Sequence, residues 1–218
     1  MSSRPISGEL KMKQIRWTSA GLRAMFVVLA SLGPAAFPAA VMGYGALHEL
    51  GKILVLPGAA GLFLTWAVLR RGGFREISSA AAKGALAGAV ATLALEAVRY
   101  TGFRLGFMPG NLPELMGVLL LDRFALGPST ASTIAGFAYH FWNGACFGVI
   151  FAVLAAGHSR WWAIPYALGI GIGFLVSPVV QALGVGLFGK DFGWHFAATV
   201  LLAHVAFGAA LARSSRHL

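Results

Sequence analysis

Three ionisable residues, Glu96, His140 and His204, stand inside long apolar stretches of this chain. A carboxylate with two imidazoles suits a proton relay or a borderline divalent cation. A charged group turned to lipid costs about 2.5–3.5 kcal/mol on insertion scales, so these side chains are expected to face a protein interior. Their neighbours support that. His140 sits in GFAYHFWNGACFGVIFA, where Gly136, His140, Gly144 and Gly148 recur every fourth residue and form one stripe on a helix. Glu96 continues the stripe of Gly84, Gly88 and Thr92, and His204 lies four residues before Gly208. Glycines so placed let helices approach closely in lipid. Arg99 and Tyr100, at i+3 and i+4 from Glu96, and Asn143, at i+3 from His140, are placed to supply supporting hydrogen bonds.

Three classes of function stay open on these residues. In the first, Glu96, His140 and His204 form an intramembrane site for a proton, a metal ion or a small solute, with the same three as metal ligands. In the second, His140 and His204 are axial ligands of a b-type haem, with glycines making room for the porphyrin. In the third, the chain is a non-catalytic scaffold or accessory subunit whose glycine faces bind another membrane protein, a lipid or a second copy. An enzyme is disfavoured, because no nucleophile and base stand at a recognisable spacing. Walker A, HExxH and GxSxG patterns are missing from the sequence. The single cysteine, Cys146, rules out an intramolecular disulfide.

The elements that must carry these residues are membrane helices. The 218 residues are 58% hydrophobic and 11% charged, with a mean hydropathy of +0.76, against roughly 25% charged in soluble domains. The net charge of +10 sits mostly at the ends of apolar segments, where it orients the chain, so nucleic acid is not expected as a partner. The pattern predicts an all-α bundle of six transmembrane helices over 24–47, 53–69, 84–103, 132–156, 163–187 and 195–212. Residues 1–23 read as a basic cytoplasmic segment, 24–212 as the transmembrane domain and 213–218 as a cytoplasmic tail.

Finer features follow from single residues. Pro34, Pro38 and Pro178 predict kinks or breaks. Between the third and fourth spans an apolar run is too short to cross, and Asn111 with Glu114 has capping-box spacing before it. It reads as an external interfacial or re-entrant helix. Gly169 and Gly173 form a GxxxG pair in the fifth span. By helix rise, Glu96, His140 and His204 fall within about one turn of a common depth.

On GALAGAVAT (84–92), HFWNGACFGVIFA (140–152) and HVAFGAALA (204–212), the chain resembles a set of YagU-like bacterial multi-pass inner-membrane proteins, domains of unknown function. The resemblance covers roughly the third to sixth spans. It implies a small multi-pass protein of the bacterial inner membrane and carries no activity.

Overall fold

A computed structural model describes residues 6–155 and 158–214, with side chains from residue 20 onward. Arg4, Arg216 and His217, and the side chains of Lys11, Lys13 and Arg16, lie outside the described residues. The fold is all-helical. In order come α1 (Ile6–Val41), α2 (Leu47–Arg71), α3 (Arg75–Arg104), α4 (Leu112–Leu120), α5 (Thr130–Leu154), α6 (Ala163–Leu175), α7 (Pro178–Ala182) and α8 (Trp194–Ser214). Five stretches are long and apolar enough to cross a membrane: Ala20–Val41, Leu47–Arg71, Arg75–Arg104, Thr130–Leu154 and Trp194–Ser214. The chain has the architecture of a multi-pass membrane protein.

Local chemistry sets where these helices bend and end. α1 runs on through Pro34 and Pro38 without a break, and its start at Ile6 makes the basic segment continuous with the first span. In α2 the irregularity falls ahead of its proline: Gly51–Val55 is π-helical, and the regular Leu56–Arg71 follows with Pro57 in its first turn. Proline is tolerated there because a first-turn N–H would have no partner in any case. α5 starts on a capping box in which Ser129 and Ser132 bond each other's backbone N–H.

The expected single helix over 163–187 is broken. α6 has 13 residues, about 20 Å by helix rise, against a hydrocarbon core of about 30 Å. The break lies just ahead of Pro178, whose ring disfavours the helical region for its predecessor. Ser177 accordingly sits at φ −74°, ψ 159°, and its hydroxyl donates to the Phe174 carbonyl at 2.7 Å.

α3 is the central strut. Its buried face (Ala81, Gly84, Gly88, Thr92, Leu95, Arg99) follows helical spacing and packs on α5 and α8. Both contacts are antiparallel. On one side Gly84 lies against Gly148 and Gly88 against Gly144, while on the other Gly102 lies against Thr199, near the start of α8. Hence α5 and α8 run in the same direction. α1 is also antiparallel to α5, with Gly33 against Trp142 and Arg23 donating to the Val153 carbonyl at 2.6 Å.

Candidate functional site

The glycine stripe of α5 explains how the site is placed. A Cβ at Gly144 or Gly148 would overlap Thr92 or the Gly84 backbone of α3, and one at Gly136 would overlap the Pro113 carbonyl of α4. The helix backbones therefore touch at both ends of the stripe. His140 stands between these two contacts, at the level where α3 presents Glu96. Along the paired helices, four-residue steps match: Gly88 with Gly148, Thr92 with Gly144, and Glu96 with His140.

Glu96 is the centre of a buried polar cluster. Arg99 donates from Nε to Glu96 Oε1 at 2.6 Å and from Nη2 to Oε2 at 2.7 Å, a bidentate pair one turn apart on α3. The same Nη2 donates to Asn111 Oδ1 at 2.9 Å. His140 Nε2 stands 2.9 Å from Glu96 Oε1, at ion-pair distance but without the alignment of a hydrogen bond. The side chains of Glu96, Arg99 and His140 are 12, 6 and 16% exposed. A guanidinium and a carboxylate held this far from water stabilise each other, and either one alone would be an uncompensated buried charge.

His204 belongs to the same surroundings but not to the cluster. Its Nδ1 lies 2.8 Å from the Val200 carbonyl one turn back on α8, and its ring packs on Gly171 of α6. A carbonyl can only accept, so Nδ1 carries the proton and Nε2 of the neutral ring is left as an acceptor. Among the described residues no group of three His, Cys, Asp or Glu stands close enough to hold a metal ion. Both Glu96 oxygens are already held by a guanidinium, which opposes a cation at that place.

Arg99, His140, Asn143 and His204 line one pocket of about 290 Å³, whose remaining wall is largely apolar, with Phe37 of α1, Phe147 of α5 and Phe207 of α8 among its side chains. Small-molecule sites run from about 300 to 1,000 Å³, so this one is at the small end. Ser177, at the break between α6 and α7, also lines it, as does the exposed Gly173. A second pocket of about 260 Å³, bounded by Pro109, Gly110 and Asn111, shares Met108, Leu112 and Phe174 with the first. Asn111 thus faces one pocket while bonding an arginine of the other.

Several positions differ from their sequence-based reading. Tyr100 is 43% exposed and packs beside Phe103 and the Arg104 guanidinium, because the buried line here runs through Leu95, Arg99 and Gly102 and Tyr100 lies about 100° round the helix from Arg99. Gly169 and Gly173 meet nothing within 4 Å of a Cβ. The contact face of α6 is Ala163, Ala167, Gly171 and Leu175, against which Gly208 of α8 packs. Asn111 precedes α4 but makes no side-chain cap there, since its oxygen is taken by Arg99. Asn143 is buried and its Oδ1 has no hydrogen-bond partner among the described residues. Asn111 was missed as a site residue because its partner is twelve positions away on another helix. No family model matches this chain, and neither does a curated protein or a solved structure.

Proposed function

We propose that this chain is a transporter-like protein of the bacterial inner membrane, which moves a proton, with or without a small solute, through the Glu96–His140 cluster. The observation that carries the reading is the 2.9 Å approach of His140 Nε2 to Glu96 Oε1 beside a largely apolar pocket. Histidine is the side chain whose unperturbed charge change falls nearest neutral pH, and a carboxylate beside it can exchange its proton. Ionisable residues inside a membrane bundle mark ion or substrate paths by default. A resident metal ion is the weaker reading, since Arg99 already holds both carboxylate oxygens.

The same reading includes six crossings, with both termini cytoplasmic. Support comes from helix direction: α5 and α8 are both antiparallel to α3, so the chain between them has to return across the bilayer. The α6–α7 pair supplies that return as a broken crossing, a form that is tolerated where irregular backbone lines a cavity. α4, packed through Gly117 on the backbone of Ser132 and Gly136, takes the part of a re-entrant helix. Arg70, Arg71, Arg160 and Arg213 then share the cytoplasmic side.

The test is proton flux. Liposomes containing the purified protein and an entrapped pH dye are given an outward potassium gradient with valinomycin. Acidification faster than in empty liposomes, and lost in Glu96→Gln, supports the reading. Flux equal to that of empty liposomes in the folded wild type removes the proton from the proposal.

A further inference from the structure

Resting on the reading of this pocket as a solute site, we infer that its solute is a small carboxylic acid with an apolar body. The first ground is the inventory of unused polar atoms. Arg99 is 5% exposed, lines the pocket, and its Nη1 has no partner among the described residues. A guanidinium nitrogen only donates, so the group that completes it must accept. Both oxygens of Glu96 are occupied, which leaves no carboxylate for an amine head and sets a positive charge against it. His204 Nε2, left as an acceptor by the bond from Nδ1 to Val200, can take the proton of the acid form. A carboxyl uses both, its carbonyl oxygen accepting from Arg99 Nη1 and its hydroxyl donating to His204 Nε2. An alcohol or an amide also offers a donor and an acceptor, but only the acid can also present an anion to the guanidinium.

The second ground is size and wall. An apolar cavity of about 150 Å³ takes benzene, so 290 Å³ holds about a dozen heavy atoms. Phe37, Phe147, Phe174 and Phe207 offer ring faces and edges rather than hydrogen bonds. The third is access. Gly173 lines the pocket, is exposed, and would meet nothing with a Cβ, so the pocket has an unobstructed rim on the outer face of α6. An acid in its neutral form partitions into a bilayer and can arrive from that side.

Charge counting ties the solute to the proton. Glu96 and Arg99 cancel, and a neutral His204 with its proton on Nδ1 adds no charge. With His140 neutral the pocket has no net charge and favours the neutral acid. With His140 protonated it has one positive charge and favours the anion. In both cases the occupied pocket holds no net charge.

The experiment is equilibrium dialysis of radiolabelled benzoate against the full chain in lipid nanodiscs, with empty nanodiscs as the partition control. Benzyl alcohol and benzylamine serve as probes of the same size with other heads. Expected are saturable binding of benzoate, weaker binding of benzyl alcohol, and none of benzylamine. Arg99→Lys, which keeps the charge beside Glu96, should weaken benzoate about tenfold or more, and Gly173→Leu, which fills open space, should do so at least tenfold. Equal binding of all three probes overturns the acid class while leaving the pocket as a solute site. So does absence of benzoate binding where Gly173→Leu still slows proton flux. Absence of binding with no effect of Gly173→Leu on flux overturns both the acid and the pocket.

Discussion

His140 Nε2 and Glu96 Oε1 approach to 2.9 Å between α3 and α5, just beyond the glycine seam where the two backbones touch. The contact is a product of packing. Glycines at 84, 88, 144 and 148 bring α3 and α5 together closely enough for an imidazole and a carboxylate to meet. Where the glycines stop, the polar pair begins.

The pairing of Glu96 with Arg99 should show in a double-mutant cycle. Glu96→Ala or Arg99→Ala alone leaves one buried charge without its partner and should lower stability by about 3–5 kcal/mol. The double substitution should cost clearly less than the sum. Reversible unfolding in mixed micelles measures all three. Additive losses would mean that the two charges are not coupled.

The helix seam predicts a contrast among glycines. Gly88→Ala or Gly144→Ala forces a methyl into backbone or the Thr92 side chain and should destabilise by about 1–3 kcal/mol. Gly169→Ala, with nothing within 4 Å, should be neutral or stabilising by about 0.5–1 kcal/mol. Thermal unfolding in detergent orders the variants. Equal effects at Gly144 and Gly169 would contradict the seam.

Asn111 should hold the loop before α4 through Arg99. Removing its amide in Asn111→Ala breaks a charge-assisted bond of about 1.5–3 kcal/mol. Hydrogen exchange over 107–117 should quicken while exchange in the middle of α5 stays unchanged. Unchanged exchange in both segments would show that the bond does not secure the loop.

The broken crossing can be read by labelling. Cysteines placed at His158 and Lys190, in a Cys146→Ala background, flank α6 and α7. An impermeant maleimide on intact cells should reach 190 and miss 158. Labelling of both from one side would mean that the α6–α7 segment does not cross.

Much of this fold was legible because lipid imposes one rule, that backbone polar groups be satisfied within a helix, and apolar length reports it. The spacing of glycines also revealed which faces of α3 and α5 meet, since small residues at four-residue steps have few other uses. Two kinds of feature were hidden. The face of α6 was misjudged because alanines at 163 and 167 pack as closely as glycines, and Gly169 and Gly173 drew attention from them. The bond between Arg99 and Asn111 joins a helix to a loop, and no periodicity signals such a contact. His204 shares the pocket with His140 by its depth on α8, but its Nδ1 is directed to its own backbone, which depth alone does not reveal.

The most direct measurement of the central claim is potential-driven proton flux into liposomes for the wild type, Glu96→Gln and His140→Gln, each first shown to be folded by circular dichroism and a monodisperse elution profile. The account predicts flux in the wild type and a loss of about a hundredfold or more in each variant, the scale of removing a proton-transfer group. Folded Glu96→Gln and His140→Gln proteins that conduct protons as fast as the wild type would contradict it and leave the pair as a packing contact between α3 and α5.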